Sequence, residues 1–152
     1  MKLLYCLLPG LLFAWPVYAS PTVVKIADGD TLTILDQRQQ IKVRLANIDA
    51  PERKQAFGTR SQQSLAALCF RKTVTVQVQT VDRYGRSVAV VTCDGVNANR
   101  AQVERGMAWV YTRYNKDPTL PEVQARARDS KRGLWIDPAP MPPWEFRKLP
   151  KQ

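Results

Sequence analysis

Three short segments carry charged side chains where a strand-and-turn scaffold would not ask for them. They are Asp28-Gly29-Asp30-Thr31, Arg44-Leu45-Ala46-Asn47-Ile48-Asp49-Ala50-Pro51-Glu52 and Asp82-Arg83-Tyr84-Gly85-Arg86. Each alone has an ordinary explanation: Asp-Gly is a common hairpin-turn pair, a solvated ion pair at a strand end contributes little, and the third segment reads as a charged β-turn. The first lacks the alternating acids and closing glutamate of an EF-hand loop. Together they offer more. Asp30, Asp49 and Glu52 are hard oxygen donors of the kind Ca²⁺ takes, and Arg44 and Arg86 supply the planar forks that hold phosphate oxygens. The chain contains no histidine, which excludes Ser-His and Cys-His nucleophiles, histidine-metal sites and an imidazole general base. Carboxylates and arginines have to carry the chemistry, and this set suits hydrolysis of a phosphodiester.

In this order the motifs closely resemble those of the staphylococcal (micrococcal) nuclease family. DGDT, RLANIDAPE, DRYGR, a GMAWVY segment and a closing GLW run from about Val23 to Trp135. The ending DPAPMPPWEFRK is similar to the tail of Gram-negative members. The resemblance implies that Asp30 and Asp49 are calcium carboxylates. It implies too that Ala50, standing where the archetype has a threonine, ligates through its main-chain carbonyl. Glu52 then falls on the glutamate that meets the metal shell through water and acts as general base, and Arg44 and Arg86 on the arginines that grip the scissile phosphate. Arg83 and Tyr84 fall where that family contacts the neighbouring nucleotide. Tyr111 and Tyr114 lie near its two binding-site tyrosines, with a different spacing. The expected activity is Ca²⁺-dependent endonucleolytic hydrolysis of DNA and RNA with little sequence preference, leaving 3′-phosphate ends. Single strands are the preferred form, because Tyr84 offers stacking beside basic residues that track the backbone. The alternative is a module of the same fold that holds nucleic acid without cutting it. Loss of acids or arginines would mark such a module, and all five are present.

The elements that must position these residues follow from periodicity. Thr22 to Ile26, Asp30 to Leu35 and Gln40 to Leu45 alternate with a period of two and form three strands, with Asp28-Gly29 as a turn and Pro51 as a stop. The period changes to three-to-four from about Gln55 to Phe70, which predicts a helix. Thr73 to Val78 and Ser87 to Val91 predict two more strands around the Asp82–Arg86 turn. Asn97 to Met107 and Leu120 to Lys131 predict two further helices, stopped near Gly106 and Gly133. Five strands with a helix between the third and fourth match an α+β, five-stranded OB-fold barrel. The proline-rich tail, Asp137 to Gln152, reads as extended.

The first nineteen residues have the anatomy of a secretory signal peptide: Lys2, the apolar run Leu3 to Trp15, then Val17-Tyr18-Ala19 before a cut. Pro9, Gly10 and Pro16 interrupt that run, so a stable membrane anchor is not expected. Residues 20–152 would form one domain, exported to the periplasm or secreted, and monomeric. The full chain of 152 residues carries a formal charge of +10, an excess that raises encounter rates with polyanions such as nucleic acid. Cys69 and Cys93 remain after the leader is removed and form an expected disulfide in an oxidising compartment.

Overall fold

Five of the expected strands form one sheet. The computed structural model describes residues 20–150, and the signal peptide expected at 1–19 lies outside the described residues. Strands β1 (Thr22–Ile26), β2 (Thr31–Asp36) and β3 (Gln39–Leu45) make an antiparallel meander. A two-residue strand, β4 (Ile48–Asp49), follows after a turn. Strands β5 (Val74–Val81) and β6 (Ser87–Cys93) form a second antiparallel hairpin that joins the meander through parallel β3–β6 pairing, giving the order β1-β2-β3-β6-β5. A short strand β7 (Val96–Asn97) adds to β6, and β8 (Trp109–Val110) pairs with β4 away from the main sheet.

The sheet is not closed into a barrel by a full ladder. Its outer strands meet at one antiparallel bridge, Thr22–Thr73, flanked by hydrogen bonds from Val23 N–H to the Lys72 carbonyl and from Val74 N–H to the Pro21 carbonyl. The reason is local. Strand β1 has five residues and a register shift between Val23 and Lys25, while β5 from Gln77 onward leaves the core and runs on as a hairpin with β6.

Helices α1 (Gly58–Cys69), α2 (Ala98–Glu104) and α3 (Leu120–Asp129) correspond to the three expected ones, the first two shorter at both ends and α3 at its C-terminal end. The tail departs from the extended reading. It contains a fourth helical turn, α4 (Pro143–Phe146), and a 3₁₀ turn at Gly133–Ile136 precedes it. Proline is tolerated there because the first helical position needs no N–H partner and its fixed φ suits a helix start. Val23, Leu32, Val43, Leu65, Val91 and Val103 are fully buried in the main core between sheet and helices. A second cluster of Trp109, Ala127, Leu134 and Trp135 takes in Trp144 of the tail. The Cys69–Cys93 disulfide forms between two buried residues and ties the end of α1 to the end of β6. Among the described residues no helix is long and apolar enough to cross a membrane.

Candidate active site

Two buried side-chain amides on α2 support the loops that carry the acids. Asn99 Nδ2 donates to the carbonyls of Ala46 (2.9 Å) and Ala89 (3.0 Å), and its Oδ1 accepts from Val91 N–H. The end of β3 is thereby tied to β6 just before the segment carrying Asp49. Gln102 Nε2 donates to the Gly29 carbonyl at 2.7 Å and the Ser61 carbonyl at 3.1 Å, holding the turn that ends in Asp30. That turn lies so close to α1 that a Cβ on Gly29 would stand 1.8 Å from Ser61 Oγ, so only glycine fits. Between β3 and β4 the chain turns at Asn47, whose φ of 68° is left-handed. Asn47 accepts from Tyr111 N–H through its carbonyl and from Lys116 N–H through its side chain, which brings the segment after β8 against the same corner.

These supports place Asp30 and Asp49 side by side and nearly out of solvent. Arg44 joins them: its Nη1 lies 3.0 Å from Asp30 Oδ2 and its Nη2 donates to Asp49 Oδ1 at 2.9 Å. Asp30 also accepts from Ala50 N–H (2.6 Å) and from Thr31 Oγ1 (3.0 Å). Glu52 is half-exposed, its backbone held by a hydrogen bond from its N–H to Gln55 Oε1. The three acids do not converge directly. Arg147 of the tail lies between two of them, donating to Asp49 Oδ2 and Glu52 Oε1, each at 2.7 Å. Accordingly, no three Asp, Glu or Cys side chains among the described residues stand grouped as a metal shell.

The electrostatics are those of crowded carboxylates. Burial pushes the Asp28 carboxyl up to about 6, and the neighbouring Asp30 charge adds to the rise. Burial likewise raises Asp49, against the opposing pull of Arg147 and Arg44. Burial alone would lower the Arg147 guanidinium, but its hydrogen bonds to Asp49 and Glu52 raise it above the ordinary arginine value. Five carboxylates thus share a cleft of about 900 Å³, in which Arg44 and Arg147 bond Asp30, Asp49 and Glu52. The donor set fits calcium: Asp30 and Asp49 carboxylates, the Ala50 carbonyl and Glu52 are all hard oxygen donors.

The third motif reaches the same cleft from the β5–β6 hairpin. Asp82 to Arg86 closes by the Gly85 N–H to Asp82 carbonyl hydrogen bond, with Gly85 at φ 76° and open space around it. This is a type I turn followed by a left-handed residue, the usual three-residue hairpin loop. Asp82 accepts from Tyr84 N–H, Arg86 N–H and Arg86 Nε, the last at 2.7 Å. The slight burial of Asp82 opposes ionisation, but these hydrogen bonds prevail and hold its carboxyl below the usual range. Arg86 therefore faces the cleft bonded to Asp82 and makes no ion pair with Asp30 or Asp49. The guanidinium of Arg83 lies 4.9 Å from the centre of the Tyr84 ring and that of Arg86 5.5 Å away. Tyr111 and Tyr114 line the cleft as well, edge to face with centroids 4.8 Å apart.

Every site residue singled out in the sequence borders this one cleft. Of the charged residues that share it, Asp28, Asp82, Arg113, Lys116 and Arg147 had no site role in the sequence reading. Asp28 was read as turn chemistry. For Arg147 the available signal was a basic residue three positions after Trp144.

Residues 42–137 match the family model described as staphylococcal nuclease homologue. A protein of Escherichia coli O157:H7 named an uncharacterized endonuclease is 47% identical over 140 residues, covering 90% of this chain and 92% of that protein. A protein named micrococcal nuclease from Shigella flexneri is 46% identical over 140 residues, covering 85% and 80%. Another, named an uncharacterized endonuclease, from Haemophilus influenzae is 45% identical over 130 residues, covering 85% and 73%.

Proposed function

The chain belongs to the staphylococcal nuclease family, and from that premise we propose that it is an exported, calcium-dependent endonuclease acting on DNA and RNA. The relatives named as endonucleases and micrococcal nuclease support the reaction class, hydrolysis within a nucleic-acid chain. The observation that carries the site assignment is the Asp30–Arg44–Asp49 contact, at 3.0 and 2.9 Å, in a cleft that also takes in Glu52 and Arg86.

Asp30, Asp49 and the Ala50 carbonyl would hold calcium, which when bound supplies positive charge beside phosphoryl oxygens as they gain negative charge. Glu52, half-exposed at the cleft, accepts a proton from water and turns the resulting nucleophile toward phosphorus. Arg44 donates to a non-bridging phosphoryl oxygen from a position already fixed by its two aspartates. Arg86 donates near the leaving oxygen, anchored by Asp82. The 5′ P–O bond breaks, as the family resemblance implies: the 5′ oxygen leaves as a hydroxyl with a proton taken from solvent water, and the other product keeps a 3′-phosphate. Tyr84, 68% exposed, stacks on a base, Arg83 assists it, and Tyr111 and Tyr114 extend the surface. Stacking on Tyr84 favours single strands with little sequence preference. Residues 1–19 would be removed on export, leaving a monomeric domain with no membrane anchor, in the periplasm or outside the cell.

The test is hydrolysis of single-stranded DNA by purified residues 20–152, in calcium and in excess EGTA. Cleavage in calcium that stops in EGTA is expected. Equal cleavage in EGTA contradicts the calcium requirement. A gel shift in calcium without cleavage makes the protein a binding module instead.

A further inference from the structure

The C-terminal segment runs as a strap from the second hydrophobic cluster back to the acids. Three contacts dock it. Gln55 Nε2 donates to the Met141 carbonyl at 2.6 Å. Trp144 packs edge to face on Trp109 at 5.8 Å and lies parallel to Tyr111 at 5.4 Å. The α4 turn begins at Pro143, which is buried, and one helical turn beyond Pro143 it delivers Arg147 to the cleft. There Nη2 donates to Asp49 Oδ2 at 2.7 Å, and Nη1 donates to Glu52 Oε1 at 2.7 Å and to Asp49 Oδ1 at 3.3 Å.

We propose that Arg147 is a tethered counter-ion of the acid cluster, an internal competitor that must leave Asp49 and Glu52 before a divalent cation can occupy the site. The inference rests on the calcium reading above and deepens it. Its geometric basis is oxygen occupancy. Asp30 Oδ2 accepts from Ala50 N–H and faces Arg44, Asp49 Oδ1 accepts from Arg44, and Asp49 Oδ2 is covered by Arg147. Calcium takes carboxylate oxygens at roughly 2.3 to 2.6 Å, so an ion held by Asp49 Oδ2, with Glu52 reached through water, would lie against the like-charged guanidinium seated on both.

Of the two arginines, Arg147 is the one built to move. The Arg44 side chain is 13% exposed, lies within the fold and also donates to the carbonyls of Leu45 and Ile48. The Arg147 side chain is 41% exposed and hangs from a single helical turn. The Arg147–Glu52 pair is exposed on both sides and individually weak, which leaves the bond to buried Asp49 as the contact an incoming cation has to replace. The parallel Tyr111–Trp144 pair couples release of Arg147 to the tyrosine surface of the cleft, and Trp144 reports it spectroscopically.

Calcium titration of residues 20–152 without nucleic acid, followed by calorimetry and by tryptophan fluorescence, tests this. A coupling of the usual size makes Arg147→Met bind calcium roughly 5- to 150-fold more tightly than the wild type. In the wild type alone, calcium should shift the tryptophan emission as Trp144 leaves Tyr111. Trp144→Ala, which loosens the strap without touching an acid, should tighten calcium binding in the same direction. Far-ultraviolet circular dichroism verifies that each variant is folded. Equal or weaker calcium binding by both variants overturns the strap proposal and leaves the calcium reading standing. Absence of calcium binding by all three proteins overturns the calcium reading and the strap proposal with it.

Discussion

Asp49 is 1% exposed and Tyr84 is 68% exposed, yet both border the same cleft, and the difference lies in what holds each in place. The Asp30–Asp49 side is fastened from behind by the buried amides of Asn99 and Gln102, which bond to backbone carbonyls far away in sequence. The Asp82–Arg86 side is a hairpin tip fastened only by bonds within its own five residues. One side is therefore part of the cooperative fold, while the other can be altered without the core responding. Preorganised charge demands the first arrangement, because carboxylates crowded together stay in place only against a rigid frame. Contact with a long, variable polyanion suits the second.

The largest separation of the two sides should come from Arg86→Ala. Removing one positioned donor of this kind typically costs roughly 100- to 1,000-fold in rate. Urea unfolding should meanwhile stay within about 0.5 kcal/mol of wild type, as for other surface substitutions. Next comes Asn99→Ala, which strips the Ala46 carbonyl and the Val91 N–H of their Asn99 partner, while the Ala89 carbonyl keeps the Ala46 N–H. Unfolding free energy should fall by about 3 kcal/mol, measured by urea denaturation, although Asn99 does not line the cleft. A neutral result there would dissolve the contrast between the sides. The smallest effect should be Tyr84→Ala, which weakens single-stranded DNA binding by about 1 to 3 kcal/mol through lost stacking, read by fluorescence anisotropy. Its rate at saturating substrate should hold. If that rate instead drops as far as for Arg86→Ala, the hairpin tip positions the reaction as well as the strand.

The same division governs what could be read before the fold was known. Strands β2 and β3 were plain because Leu32, Ile34, Val43 and Leu45 alternate with polar neighbours, and local pattern reports which face is buried. The pair β4–β8 was invisible, since two residues each carry no period. Closure of the sheet was over-read because strand count says nothing about ladder length, and β1 is too short to pair along β5. In the site, Asp30, Arg44, Asp49, Glu52 and Arg86 were legible because each sits in a charged segment with no structural need for it. Asn99 and Gln102 were not, because a polar residue on a helix looks solvated until the loops it bonds are folded against it. Arg147 was hidden for a different reason. Its partners lie 98 and 95 positions away in the chain, and no local pattern records a contact of that range.

The most direct test of the catalytic account is single-turnover hydrolysis of single-stranded DNA in saturating calcium by Glu52→Gln, beside wild type. The substitution keeps size and hydrogen bonding but removes the group that takes the proton. A rate lower by roughly 100-fold or more, in the range expected for loss of a general base, with DNA still bound in a gel shift, is the predicted result. A rate within a few-fold of wild type would contradict it.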